Sequence, residues 1–186
     1  MCGRYIIFTS EEYREMKAIL KEISKHYKIG TGTFNPGEIF PSYEVPAILS
    51  SESSPDYSML QWGFELPQTK KTVINARSET LEEKNMFKFL LESKRCLLPA
   101  NGFFEWNEKQ KYFIKPADLN TFYMAGLYNS SGKTVIITTA ASTDMMHIHD
   151  RMPVIFNKEI GCHWLEKYDS ALLVPYRNSL DIKKTG

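Results

Sequence analysis

Short apolar and aromatic segments separated by turn residues dominate this chain, without a regular alternation of strand and helix. Arg4 to Phe8, Glu44 to Leu49, Tyr57 to Trp62, Phe103 to Asn107, Lys111 to Ile114, Thr121 to Tyr128 and Thr134 to Thr139 read as strands. The run Asn129-Ser130-Ser131-Gly132 between the last two is a hairpin signal. Parallel neighbours need long crossovers, usually helical, so connections this short favour antiparallel pairing. The expected class is α+β, with a largely antiparallel sheet.

Helices are few. Tyr13, Met16, Ile19, Leu20, Ile23 and Tyr27 recur at three- and four-residue steps, which predicts an amphipathic helix from Thr9 to about Tyr27, with Thr9 and Glu12 as a capping box. A second helix is expected from about Thr80 to Ser93, boxed by Thr80 and Glu83 and burying Leu81, Phe87, Leu90 and Leu91. Gly30 to Pro41 reads as a long loop, Ser50 to Pro55 as a turn-rich connection, and Leu180 to Gly186 as a fraying end. At 186 residues, with no repeat or linker, the whole chain from 1 to 186 reads as one compact domain.

Lys+Arg 23 against Asp+Glu 22 leaves a net charge of +1, so no global basic field marks an obligate nucleic-acid coat. An anionic partner has to be held locally, and Arg4, Arg77 and Arg151 fall in the segments richest in chemistry. No stretch approaches the roughly 18 apolar residues of a bilayer helix, and no apolar signal core follows Met1-Cys2-Gly3-Arg4. The expectation is a cytosolic protein without a membrane partner. Cys2, Cys96 and Cys162 form an odd set without a CxxC pair, which argues against a disulfide framework. His147, His149, Cys162 and His163 fit none of the usual zinc-ligand spacings.

Cys2 is the most informative residue. A small second residue allows Met1 to be removed, leaving an amine and a thiol on one terminal residue. Their reference pKa values, about 7.7–8.0 and about 8.5, give both accessible nucleophilic forms near neutrality. Such a 1,2-aminothiol can attack an amide or ester through sulfur, or condense with an aldehyde to an imine that the thiol closes to a thiazolidine. Alternatively, Cys2 is simply a small residue entering the first strand.

Other segments carry complementary chemistry. Asn75 and Arg77 share one face of extended chain, where an amide can bind a reacting nitrogen or oxygen and a guanidinium can clamp a phosphate or carboxylate. The alternative is a turn amide and an ion-paired arginine. Glu105 lies among Phe103, Phe104 and Trp106, where lost solvation raises a carboxyl pKa and suits it to donate a proton, unless it sits on a solvated edge. Trp106 points to the opposite face of an unbulged strand, toward a rim where it can stack. His149 supplies an imidazole, a group able to exchange protons, with Arg151 on its side of an extended backbone leading into Pro153; the alternative is a loop histidine satisfied by its neighbours.

Together, Met1-Cys2-Gly3-Arg4-Tyr5, Trp62-Gly63-Phe64, Asn75-Ala76-Arg77-Ser78-Glu79-Thr80, the Arg95 to Trp106 run and His149-Asp150-Arg151-Met152-Pro153-Val154 resemble the SOS response-associated peptidase family, in order, from residue 2 to about 165. The resemblance implies a compact α+β domain with curved β-sheets around a positively charged cleft. It also implies covalent capture of abasic sites in single-stranded DNA as a thiazolidine crosslink that shields the lesion. Carried over by motif, Cys2 is the nucleophile, Asn75 orients its amine, Glu105 and His149 handle protons, and Arg4, Arg77 and Arg151 hold the flanking phosphates, with Trp106 added as a stacking contact. That chemistry requires neither metal nor organic cofactor. The family's presumed peptidase activity includes removal of the residue before the cysteine. The implied partner is single-stranded DNA with abasic sites, with no obligate protein partner, and a monomer is expected.

One stretch departs from the family pattern. Family members commonly carry a second tryptophan in a longer loop after Trp62-Gly63-Phe64, whereas this chain has Glu65-Leu66-Pro67-Gln68-Thr69-Lys70-Lys71. Two other functions compete: an N-terminal-cysteine peptidase or amidohydrolase, and a non-enzymatic reader of single-stranded DNA.

Overall fold

The computed structural model describes residues 2–25, 36–51, 55–66 and 71–185. The first half of the chain runs through β1 (Tyr5–Ile7), α1 (Arg14–Ser24), β2 (Gly37–Ile39), β3 (Glu44–Leu49), β4 (Asp56–Trp62), β5 (Phe64–Glu65), β6 (Thr72–Val73), β7 (Asn75–Arg77) and α2 (Asn85–Lys88). The second half runs through β8 (Arg95–Ala100), β9 (Gly102–Asn107), β10 (Gln110–Pro116), β11 (Phe122–Tyr128), β12 (Lys133–Ala140), β13 (Arg151–Pro153), β14 (Ile155–Phe156), α3 (Lys158–Glu166) and β15 (Leu180–Thr185). The class is α+β, as the strand-rich pattern predicts.

A five-stranded sheet has the order β15-β10-β9-β1-β2, and an eight-stranded sheet follows β13-β12-β4-β3-β8-β11-β14, with β7 also on β12. Because β12 pairs with both β4 and β11, the strands β12, β4, β3, β8 and β11 join in a ring, which leaves those strands few open edges. Pairing is antiparallel except where β12 meets β4 and β7. The β11–β12 hairpin turns where Asn129 was expected to turn it: the Asn129 side-chain oxygen accepts the backbone N–H groups of Ser131 and Lys133.

Strands β8, β11 and β12 separate two hydrophobic cores. Cys96, Leu98, Met124 and Ile136 face one core with Tyr5, Trp62 and Phe103. Leu97, Ala125, Val135 and Ile137 face the other, with Ile19 and Ile23 of α1 and Trp164 and Leu165 of α3. A strand buried on both faces reads as a continuous apolar run. β8, buried at every position, is such a strand, and with no alternation to mark it, it is absent from the expected strands.

Gly63, between β4 and β5, is required where it stands: it has φ +121°, and a Cβ there would lie 2.3 Å from the Thr72 methyl. A Cβ on Gly102 would lie 2.1 Å from the Phe113 ring, which would have to move to admit it.

Several boundaries differ from expectation. The first helix begins at Arg14, with Tyr13 as an N-cap that makes no side-chain bond, while the Glu12 carboxylate accepts the Ser10 hydroxyl. The proposed Thr9–Glu12 box therefore does not form, and His26 and Tyr27 lie outside the described residues. The expected Thr80–Ser93 helix is a short 3-10 turn, Ser78–Thr80, followed by the single turn of α2. Leu81, Phe87 and Leu91 each reach the second core without a continuous stripe. The long loop after Gly30 contains β2, whose Ile39 pairs with Tyr5. The expected frayed end is instead β15, paired with β10 from Lys111–Thr185 to Pro116–Leu180, with Leu180 and Ile182 packed on the first core. A free edge of β10 and two apolar side chains offset the entropy of ordering this end.

Helix α3 has no counterpart among the expected elements. Its signal is Asn157, whose side chain caps the Ile160 N–H, ahead of an apolar face that buries Trp164 and Leu165. No helix among the described residues is long and apolar enough to cross a membrane.

Candidate active site

The site is built where the start of β1, the middle of β9, β7 and the segment before β13 converge. Cys2 is fully buried in the first core, and its thiol lies 3.8 Å from the Arg4 carbonyl. Burial first, and the charge of Glu105 second, push the thiol well above its ordinary pKa. Asn75 donates its side-chain amide to the Cys2 carbonyl at 2.9 Å. Its Oδ1 is buried and accepts no hydrogen bond from the described residues. As the extended reading of β7 requires, Ala76 turns the other way and is buried in the second core.

Alternation along β9 sorts its side chains. Phe103 packs in the first core and Glu105 is almost fully buried, whereas Phe104 and Trp106 share the other face. Burial raises the Glu105 carboxyl above the usual carboxylate range, and nearby His149 partly opposes that shift. The donor end of Asn107 ties β9 to the His147 carbonyl and so holds the His149 segment beside the strand. His149 Nδ1 accepts the Arg151 backbone N–H at 3.0 Å and lies 2.8 Å from an Asp150 carboxylate oxygen. An Nδ1 without a proton satisfies the first contact, and one bearing a proton the second.

The arginines divide. The Arg4 guanidinium lies 3.3 Å from Glu38, 4.2 Å from the Phe40 ring centre and 5.1 Å from that of Trp106. Lys111, the cross-strand partner of Trp106, joins the same Glu38 carboxylate at 2.5 Å. Trp106 thus belongs to a cation–aromatic cluster on the face opposite Glu105. Arg151 forms a bidentate pair with Glu79, at 2.6 and 2.9 Å, and donates to the Thr138 carbonyl. Its terminal guanidinium nitrogens are thus held by a carboxylate and a carbonyl. Arg77 is exposed at the end of β7 and pairs with no carboxylate among the described residues.

The structure therefore brings together Cys2, Asn75, Glu105 and His149, and places Arg4 with Trp106 on another face. Among the described residues no group of three or more His, Cys, Asp or Glu side chains could hold a metal ion, and the set His147, His149, Cys162 and His163 does not assemble. The cysteines are free. The sequence reading missed Glu38, Phe40 and Lys111. Lys111 was within reach, since pairing the two expected strands across a tight turn puts it opposite Trp106. Residues 67–70 of the atypical loop after Phe64 lie outside the described residues.

A sequence model of the SOS response associated peptidase (SRAP) family matches residues 1–183. Abasic site processing protein YoqW of Bacillus subtilis is 34% identical over 95% of this chain and 88% of its own. Abasic site processing protein YedK of Escherichia coli is 27% identical over 90% of this chain and 80% of its own. A Bacteroides thetaiotaomicron protein of known crystal structure superposes with a TM-score of 0.80, covering 98% of this chain and 91% of that one at 23% identity, a likeness of fold.

Proposed function

The chain belongs to the SOS response associated peptidase family, and on that footing we propose that it processes abasic sites by covalent capture in single-stranded DNA, through Cys2, which becomes the N-terminal residue when Met1 is removed. The names of the relatives YoqW and YedK as abasic site processing proteins support this reading. The observation that carries it is the Asn75–Cys2 hydrogen bond beside a buried carboxyl with a raised pKa.

An abasic deoxyribose is mostly a closed hemiacetal. Proton transfer by Glu105, relayed to His149, opens it to the aldehyde. The Cys2 amine attacks C1′, the carbinolamine loses water with a proton from Glu105, and an imine forms. The thiol then adds to the imine carbon, its proton passes to nitrogen, and a C–S bond closes the thiazolidine. Asn75 holds the Cys2 backbone so that amine and thiol meet one carbon, which supplies the orientation the reaction would otherwise lose as entropy. Arg77 contacts a flanking phosphate. Arg151, through Glu79 and Thr138, keeps the His149 segment in place, and it reaches a phosphate only by leaving that pair. The protein acts in the cytosol wherever single-stranded DNA is exposed.

Intact-mass measurement and a denaturing gel test the reading, after the protein is mixed with a single-stranded oligonucleotide bearing one abasic site. A heat-stable shifted band that disappears in C2A is the expected result. No shift, with Met1 removed and the protein folded, overturns covalent capture and favours amide hydrolysis by the same cysteine.

A further inference from the structure

Between α3 and residues 170–178 lies a groove of about 380 Å³ that the chemistry above does not use. Leu119, Phe156, Ile160, Leu172 and Val174 line it, and Arg177 stands where a second recess adjoins it. Ile160 and Val174 are 37% and 38% exposed, although both are large and apolar. Asp118, the one carboxylate in the lining, already accepts the Tyr176 hydroxyl at 2.6 Å and the Asn178 amide at 2.8 Å. Arg177 is exposed and has no carboxylate partner among the described residues. Apolar surface beside such a cation calls for an apolar side chain with a carboxylate close to it.

The same chain carries that pair of groups just after α2. Phe89 is 74% exposed, more than any other large apolar side chain among the described residues. Glu92 follows three residues later, exposed and without a cation partner among the described residues. The N–H groups of Leu90 and Leu91 bond to the Phe87 and Lys88 carbonyls, a helical turning that brings residues three apart to one side. Arg95 fixes this knob, because it donates to the Leu91 and Glu92 carbonyls and also to those of Trp164 and Leu165 at the C-terminal end of α3. The groove reaches the other end of that helix through Asn157 and Ile160, so the knob does not fill the groove of its own chain. We propose that a second copy of this chain seats its Phe89 in the groove and brings its Glu92 to Arg177. Two different patches meet, so the contact is head-to-tail and leaves each pair with one knob and one groove for further copies. A phenylalanine buries about 150–250 Å², far below the area of a stable interface, so the association is weak and depends on concentration.

Analytical ultracentrifugation of the full chain tests this. Between about 10 µM and about 500 µM the average mass is expected to rise by about 1.5-fold or more, the behaviour of a small, transient interface. Phe89→Ser and Val174→Asp are each expected to stay at the monomer mass. An equal mixture of the two is expected to form a dimer that grows no further, since one variant supplies an intact groove and the other an intact knob. Glu92→Arg and Arg177→Glu are each expected to weaken association by about threefold or more, and the double variant to regain it. All these positions are exposed, and thermal melts check that the variants are folded. A mass that stays at the monomer value throughout overturns the proposal, as does association that survives Phe89→Ser or a mixture that remains monomeric. On an unreactive single strand long enough for several copies, wild type is then expected to bind cooperatively and Phe89→Ser without cooperativity, a consequence that rests also on the DNA reading. Failure of that reading alone leaves the mass measurements as stated.

Discussion

The side-chain amide of Asn75 donates to the backbone carbonyl of Cys2 at 2.9 Å, across 73 residues of sequence. This bond holds the residue that carries both proposed nucleophiles, and it leaves the Asn75 oxygen buried and ready to accept a proton donor. An amine brought into that pocket finds an acceptor already in place.

Asn75→Ala is therefore expected to slow adduct formation by about 100-fold, the cost of misplacing reacting groups by about 1 Å. Non-covalent binding of a reduced abasic oligonucleotide should change by less than threefold. Asn75→Asp replaces the donor by an acceptor facing the Cys2 carbonyl, and should be at least as slow. Single-turnover gel kinetics check both, and wild-type rates in either variant would remove Asn75 from the mechanism.

Burial makes Glu105 hold its proton more tightly in the folded than in the unfolded chain. The folded state then binds more protons between the ordinary carboxyl pKa and the raised one, so this residue's contribution to stability is full below that window and is lost as pH rises through it. Glu105→Gln is accordingly expected to be more heat-stable than wild type at pH 8 and to lose that advantage toward pH 4. It should also slow crosslinking by about 100-fold, within the range of general acid–base effects. Melting curves across pH check the first part, and a constant offset at all pH values would contradict it.

Arg95 is almost fully buried and donates to the carbonyls of Leu91, Glu92, Trp164 and Leu165. It closes the end of α3 and the turn before β8 with one side chain, and its positive charge suits the negative end of a helix. Arg95→Met strands buried carbonyls that each cost about 1–3 kcal/mol, so a loss of about 3 kcal/mol is expected. Urea unfolding should show a lower midpoint, with crosslinking by the folded fraction unchanged.

Glu38 shares its carboxylate between Arg4 and Lys111. Glu38→Gln leaves both cations for phosphate, and should raise affinity for single-stranded DNA while steepening the salt dependence, by about 0.7 in log–log slope for each cation engaged. Arg77→Ala should flatten the slope by a similar amount. An unchanged slope in both variants would place the strand on another face.

The elements that read correctly in the sequence are those whose two faces differ. Helix α1 shows its buried Met16, Ile19, Leu20 and Ile23 at helical spacing, and the alternation of β9 by itself separates Glu105 from Trp106. Where both faces are buried, as in β8, no period remains to be read. Where side chains reach the core one at a time, as Leu81, Phe87 and Leu91 do, a helical spacing can be imagined that the backbone does not adopt.

From its own residues the sequence determines a strand-rich α+β chain without a framework of disulfides, and a set of chemically able side chains in separated blocks. Only the tertiary structure decides which of them meet. Cys2 with Asn75, and Arg151 with Glu79, are each more than 70 residues apart, and their pairing depends on the strands β1, β7, β12 and β13 crossing one region. Local propensity extends over a few residues, whereas burial and hydrogen bonding act between whatever the closed sheet brings into contact. That physical difference makes Arg151 a held residue and leaves Arg77 without a carboxylate partner among the described residues.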